Sequence, residues 1–179
     1  ANKYLFFEFL CILFLHTKGF LIMAKVFIDG SAGTTGLKIY DRLSQRSDIN
    51  LITLPDELRK DINARKDAIN NADIVFLCLP DAAAIEAVSL LENKNTRIID
   101  TSTAHRTNEN WAYGFAELKG YREKIKNARL VANPGCYTTC SILTIYPLAK
   151  EGLIDMNTII IDAKSGTSGA GRGAKVDNL

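Results

Sequence analysis

From residue 23 onward, short apolar segments alternate with longer segments in which apolar residues recur every three or four positions. The short segments are typical of strands and the longer ones of helices. Strands are predicted at 24–29, 49–54, 73–80, 96–102, 128–134 and 157–166, and helices at 37–46, 63–72, 82–93 and 136 to about 152. This alternation predicts an α/β fold with a parallel sheet and crossover helices. The continuously apolar strand at 73–80 is expected to be buried on both faces.

Local signals refine two of the helices. Asp81 follows Pro80 and is predicted to cap the N-terminus of the helix at 82–93. Pro147 is expected to interrupt or kink the helix that begins at Cys136, and Gly152 to end it. The helix at 37–46 is expected to turn one apolar face to the core, formed by Leu37, Ile39, Tyr40 and Leu43.

Composition narrows the function classes. The 179 residues are 47% hydrophobic and 23% charged, which is ordinary globular usage and argues against disorder. The net charge is only +2 and the basic residues are scattered, so nucleic acid is not an expected partner. Cys78 lies inside an apolar strand, where a reduced thiol packs as a small hydrophobic group. A disulfide framework is therefore not expected. A reducing, cytoplasmic location is expected instead.

Residues 1–22 are almost unbroken apolar sequence between Tyr4 and Leu15, apart from Glu8. A secretory signal would need a small-residue cleavage site, which is absent, and a membrane span needs about 20 apolar residues, which this run does not reach. We favour a third interpretation, in which Met23 is the natural start and residues 1–22 are an extension outside the fold. No membrane association is expected.

A glycine-rich loop, DGSAGTTG, joins the first strand to the first helix. Gly30, Gly33 and Gly36 are spaced so that the chain turns tightly and exposes backbone N–H groups at a helix N-terminus, where a phosphate binds well. Ser31, Thr34 and Thr35 add hydroxyl donors. A plain turn is the alternative, but the strand before and helix after the loop favour a nucleotide phosphate site.

The choice between NAD and NADP depends on the end of the second strand. An NAD site usually has an acidic residue there, whereas this chain has Leu54 and Pro55, with an aspartate only at 56. The basic side chains that could receive a 2′-phosphate are Arg42, Arg59 and Lys60. Solvated surface charge is the alternative for all three, but the pattern favours NADP.

Cys136 follows Asn-Pro-Gly and should lie in the first turn of a helix, where the positive end of the helix dipole stabilises a thiolate. This placement predicts a nucleophile with N–H groups nearby for an oxyanion. Cys140 is one helical turn further on and is predicted to be a core residue. No metal site is expected, because the remaining ligands of a zinc site are missing. His105 is not assigned as the base, since a lone loop histidine is more often solvated or structural.

Five motifs follow one another in an order that resembles the short form of the N-acetyl-gamma-glutamyl-phosphate reductases, from residue 23 to about 172. These motifs are the glycine loop, DTSTAHR, YGFAEL, ANPGCY and SGTSGAGR. The resemblance implies a Rossmann-type domain followed by an α+β catalytic domain. It also implies NADPH-dependent reduction of N-acetylglutamyl 5-phosphate to the 5-semialdehyde in arginine biosynthesis, through a cysteine thioester. The acyl phosphate is then the small-molecule partner, and the enzyme is expected to form a homo-oligomer.

The resemblance assigns Cys136 as the nucleophile. It implies that the cofactor is bound by Gly30, Ser31, Ala32, Gly33, Thr34, Thr35, Gly36, Ser165 and Gly166. The substrate set comprises Ser102, Arg106, Asn133, Ser168 and Gly169.

The resemblance also divides the chain into an extension at 1–22, a dinucleotide-binding domain at 23–134 and the beginning of a catalytic domain at 135–179. The family's catalytic histidine is expected beyond Leu179, so poor turnover is expected of this chain alone. Two alternatives stay open at this point. One is an aspartate-semialdehyde dehydrogenase, and the other is a catalytically silent dinucleotide-binding module.

Overall fold

The computed structural model describes residues 23–164, in which parallel strands form a six-stranded sheet in the order β2-β1-β3-β4-β6-β5. The strands are β1 (Ala24–Asp29), β2 (Ile49–Ile52), β3 (Ile74–Leu77), β4 (Arg97–Asp100), β5 (Ala112–Tyr113) and β6 (Leu130–Ala132). The helices are α1 (Thr34–Leu43), α2 (Ile62–Asn71), α3 (Asp81–Ser89), α4 (Tyr121–Asn127) and α5 (Cys136–Lys150), with short 3-10 turns at Asp56–Leu58 and Met156–Thr158. The predicted α/β class is confirmed.

The core lies on both faces of the sheet. One face carries Ile28 and Phe76 and is covered by Ile39 of α1 and Ile125 of α4. The opposite face is covered by α2 and α3, through apolar residues that include Ala68, Ile69, Ala84 and Ala87. All four residues of β3 are buried, because β3 lies between β1 and β4 and has helices on both sides. The prediction of a strand buried on both faces is confirmed.

The helices differ from the sequence predictions in three details. The N-cap of α3 is Pro80, so the prediction that Asp81 caps this helix is wrong. Asp81 is instead the first helical residue, and its carboxylate accepts a hydrogen bond from the backbone N–H of Thr103 at 2.9 Å. The apolar face of α1 is narrower than predicted, because Leu37 and Tyr40 are exposed and only Ile39 and Leu43 of the predicted four are buried. Helix α5 continues through Pro147 without interruption.

The predicted strand at 157–166 is wrong over its described part. Residues 157–158 belong to a 3-10 turn, and residues 159–164 have no regular structure. Ile160 is 93% exposed, and no strand of the described sheet lies beside this segment. A strand is stable only when a neighbour satisfies its backbone N–H and C=O groups, so apolar β-branched residues alone do not produce one.

Within residues 23–164, no helix has the length and apolar character needed to cross a bilayer. The predicted extension at 1–22 lies outside the described residues.

Candidate active site

The carboxyl ends of the strands meet at one edge of the sheet, where the loops with the candidate chemistry gather. The chain passes from β1 to β2 on one side, while β3 pairs with β1 on the other. This change of direction opens a crevice outside the strand ends, where ligands bind in open parallel sheets. The glycine loop follows β1, the DTSTAHR segment follows β4, and the turn before Cys136 follows β6.

The glycine loop has the geometry that a phosphate-binding turn requires. Gly30 has a φ of 86°, and a Cβ there would lie 2.3 Å from the carbonyl oxygen of Cys78. A Cβ on Gly36 would lie 2.3 Å from the carbonyl oxygen of Gly30, so the helix can approach the loop only with glycine at this position. Gly33 is the N-cap of α1 and no side chain caps this helix. The N–H groups of the first turn are therefore available to a ligand.

A cleft of about 430 Å³ lies beside this loop. Its lining includes three predicted cofactor residues, Gly30, Ser31 and Ala32, but not the other four of the loop, Gly33, Thr34, Thr35 and Gly36. Leu54, Arg59 and Lys60 also line it, whereas Arg42 does not. Ser165, Gly166, Ser168 and Gly169 lie outside the described residues.

An ion triad that the sequence did not indicate lines the cleft, with Asp29 and Arg65 buried and Glu86 exposed. Arg65 of α2 donates through Nε and Nη2 to Oδ2 of Asp29, at 3.1 and 3.0 Å, and through Nη1 to Glu86 at 2.7 Å. Desolvation raises the pKa of Asp29, although its bonds to Arg65 oppose the shift. Burial also disfavours the charged form of Arg65, but hydrogen bonds to Glu86 and Asp29 more than offset this and raise its pKa. Because Asp29 directly precedes Gly30, the triad anchors the start of the phosphate loop.

The segment after β4 is organised by the carboxylate of Asp100, which is fully buried. It accepts hydrogen bonds from the backbone N–H and the hydroxyl of Ser102 at 2.9 and 2.7 Å. It also accepts one from Nδ1 of His105 at 2.6 Å. The His105 ring stacks on Trp111, with 4.1 Å between the ring centroids. His105 is therefore held in place by Asp100 and Trp111 and helps to fix this segment.

Cys136 is exposed and is the first residue of α5. The N-cap of this helix is Gly135 and no side chain caps it, so the thiol of Cys136 and the N–H groups of the first turn share one helix end. Cys140 is also exposed, so the prediction that it is a core residue is wrong. None of the residues of α5 is buried by the described part of the chain.

The third described thiol, Cys78, packs against the core and is free. Burial raises its pKa to about 12, so it stays protonated at neutral pH. A protonated thiol is a weak nucleophile. Cys78 also differs from Cys136 and Cys140 in that its side chain is not exposed. Within residues 23–164, no group of three or more His, Cys, Asp and Glu side chains has the proximity needed to hold a metal ion.

The chain is similar to known proteins over most of its length. Residues 25–128 match the family model described as "Semialdehyde dehydrogenase, NAD binding domain", and residues 136–179 match "Semialdehyde dehydrogenase, dimerisation domain". N-acetyl-gamma-glutamyl-phosphate reductase of Brucella ovis is 54% identical over 151 residues, which are 83% of this chain and 49% of that protein. The chain thus spans about half the length of the curated relatives it matches.

Solved structures show the same fold at low sequence identity. Aspartate semialdehyde dehydrogenase from Francisella tularensis matches with a TM-score of 0.60 and 18% identity, over 85% of this chain and 47% of that one. The enzyme from Candida albicans, solved with NADP, matches with a TM-score of 0.52 and 14% identity, over 73% of this chain and 48% of that one.

Proposed function

Because the chain belongs to the semialdehyde dehydrogenase family, as its NAD-binding domain shows, we propose that it forms part of an NADPH-dependent acyl-phosphate reductase. The proposed reaction converts N-acetylglutamyl 5-phosphate to N-acetylglutamate 5-semialdehyde and phosphate. The single observation that carries this choice is the 54% identity to proteins named N-acetyl-gamma-glutamyl-phosphate reductase. The same relatives confirm the resemblance noted in the sequence. Identity to the aspartate semialdehyde dehydrogenases is 18% or less among the matches described above, which disfavours that alternative.

In the proposed mechanism, the Cys136 thiolate attacks the carbonyl carbon of the acyl phosphate. The carbon–oxygen bond to phosphate breaks, phosphate leaves with the electron pair, and a thioester remains on Cys136. The N–H groups of the first turn of α5 stabilise the oxyanion that develops during attack. When bound, NADPH supplies the hydride that reduces the thioester carbon. Departure of the aldehyde then restores the thiolate, so Cys136 must be both exposed and fixed in position.

The glycine loop fits the cofactor that this mechanism requires. Gly30, Ser31 and Ala32 would contact the diphosphate, and the N–H groups of Thr34 and Thr35 at the start of α1 would complete the cradle. The preference for NADP is supported by Arg59 and Lys60, which line the same cleft as Leu54, the residue at the strand end where an NAD site would have an acid. Arg59 also pairs with Asp56 at 2.5 Å, which offsets the negative charge of that carboxylate.

Cofactor choice is tested by binding NADPH and NADH to the Arg59→Ala and Lys60→Ala variants. Affinity for NADPH should fall about tenfold, as expected for losing a charged contact to phosphate, while affinity for NADH changes little. Arg42→Ala is the matched control, because Arg42 does not line the cleft. An equal loss for both cofactors would show that these residues do not recognise the 2′-phosphate.

The other site and assembly assignments remain proposals. Ser102, Arg106 and Asn133, together with Ser168 and Gly169, are proposed to contact the substrate. The proposed boundary between the dinucleotide-binding and catalytic domains is at residues 134 and 135. A homo-oligomer is proposed because residues 136–179 match a dimerisation domain. A cytoplasmic location remains a prediction.

The reaction is tested in the reverse direction, in a protein of the length of the relatives that carries these residues unchanged. We expect phosphate-dependent reduction of NADP⁺ with N-acetylglutamate semialdehyde and none with aspartate semialdehyde. Cys136→Ser should abolish turnover, whereas Cys140→Ser, one helical turn away, should leave it intact. Turnover that survives Cys136→Ser would exclude the thioester mechanism.

A further inference from the structure

The Arg106 guanidinium bridges the ends of two neighbouring strands. Its Nε donates to the carbonyl oxygen of Asn133 at 3.0 Å, just after β6. Its Nη2 donates to the carbonyl oxygen of Thr101 at 3.1 Å, just after β4. A planar guanidinium can hold two acceptors in fixed directions, which an ammonium group on a flexible stem cannot do. Arg106 therefore ties the loop after β4 to the turn that leads into Cys136.

The residues before Arg106 are themselves fixed. His105 is bonded to the buried carboxylate of Asp100 on one side and stacked on Trp111 on the other. The main chain of Asp100 is also bonded directly to the turn, because its carbonyl oxygen accepts from the N–H of Asn133 at 2.7 Å. The main chain next to Arg106 is thus already fixed, so its hydrogen bonds cost mainly the conformational entropy of its own side chain.

The guanidinium also packs against the N-cap of α5. A Cβ placed on Gly135 would lie 2.7 Å from Nη1 of Arg106 and 3.3 Å from Cζ. The φ of Gly135 is −77°, which any residue adopts, so glycine is needed here for space and not for backbone conformation. Because Cys136 is the next residue, Arg106 contacts the turn immediately before the thiol.

We propose that Arg106 is a positioning residue, which fixes the Asn133–Gly135 turn and with it the place where α5 begins. This inference rests on the proposed role of Cys136 as the nucleophile. By holding Gly135, Arg106 keeps the thiol at the helix N-terminus, where the dipole and the first-turn N–H groups act on it. Arg106 acts on the reaction through the geometry of this turn and not only as a charge near the substrate.

The experiment measures the alkylation rate of each cysteine in this chain by peptide mass, from mildly acidic to alkaline pH. Cys140 is exposed on the same helix and is the internal reference. Arg106→Gln and Arg106→Lys should each lower the ratio of the Cys136 rate to the Cys140 rate near neutral pH by about threefold or more.

The lysine variant separates position from charge, because it keeps the positive charge and loses the planar fork. A normal ratio in Arg106→Lys with a lowered ratio in Arg106→Gln would overturn the proposal in favour of a charge effect. An unchanged ratio in both would overturn it outright. Arg129→Lys, which loses a guanidinium bond to the carbonyl oxygen of Asn93 elsewhere on the sheet, is the matched control and should leave the ratio unchanged.

Gly135→Ala keeps the test decisive if an Arg106 variant does not fold. It keeps Arg106 but pushes the guanidinium out of its contact, so the ratio should fall as in Arg106→Lys. A normal ratio in Gly135→Ala would count against the proposal. Alkylation uses no substrate, so the result is separate from the proposed activity. Equal reactivity of Cys136 and Cys140 in the unsubstituted chain would contradict the role of Cys136 itself.

Discussion

Replacing Arg65 by methionine should remove the partner of a buried carboxylate and leave Asp29 charged in the core. The side chains of Arg65 and Asp29 are only 7% and 5% exposed, and their closest atoms are 3.0 Å apart. At that separation their attraction is about 5.5 kcal/mol for an effective dielectric constant near 20. Methionine keeps most of the apolar stem, so the lost charge dominates the effect.

Protonation of Asp29 limits the cost of the unpaired charge. Neutralising a carboxyl group of ordinary pKa 3.8 costs about 4.4 kcal/mol near pH 7 and about 1.6 kcal/mol near pH 5. The free energy of unfolding should therefore fall by about 3 to 4 kcal/mol near pH 7 and by about 1 to 2 kcal/mol near pH 5. The sign follows from the raised pKa of Asp29: the folded state holds this proton more tightly, so stability is lost as pH rises through that pKa.

Urea unfolding, followed by the fluorescence of the single tryptophan, Trp111, measures this loss. Adding Asp29→Asn to Arg65→Met should remove most of the pH dependence, because no buried charge is left. Arg59→Met is the matched surface control. It breaks an exposed pair with Asp56 and should cost less than about 1 kcal/mol. A loss below about 1 kcal/mol for Arg65→Met near pH 7, or one that grows as pH falls, would refute this reasoning.

Three further predictions concern residues in loops and at helix starts. Gly36→Ala should lower both stability and NADPH affinity, because its Cβ would collide with the carbonyl oxygen of Gly30. Gly120→Ala should cost only about 1 kcal/mol of backbone strain and leave binding of NADPH unchanged in fluorescence titrations, since nothing lies within 4 Å of its added Cβ. Thr103→Val should weaken the acid dependence of unfolding. Hydrogen bonds from Thr103 lower the pKa of Asp81, and the stability they supply is lost as pH falls through that lowered value.

The central strands were predictable because their signal is local. β1 and β3 are short, apolar and followed by turn residues, and both appear where the sequence placed them. β5 was missed because it has only two residues and is defined by its pairing with β6. Helix α4 was missed because its sequence, YREKIKN, buries only Ile125. Short elements of this kind depend on tertiary contacts that periodicity does not reveal.

The local geometry of the candidate site was predictable at two places, the tight glycine turn after β1 and the position of Cys136 in the first turn of a helix. The ion triad could not be predicted. Arg65 lies in a polar helix, where an arginine is normally solvated, and its partner Asp29 is 36 residues away in the sequence. The error at Cys140 had the opposite cause. Its neighbours Ile142 and Leu143 suggested a core, but Leu143 is itself 50% exposed in the described structure. Local apolarity does not show which element, if any, covers a helix.

The order of the strands also bears on how the chain folds during synthesis. β1 pairs with β2 and β3, so the strands that carry the glycine loop are all contained in residues 24–77. The pair of β5 with β6 and the turn before Cys136 are encoded only after residue 111. Chains fold largely from the N-terminus as they leave the ribosome, and nearby contacts form before distant ones. The glycine loop can therefore be in place before Cys136 has been translated.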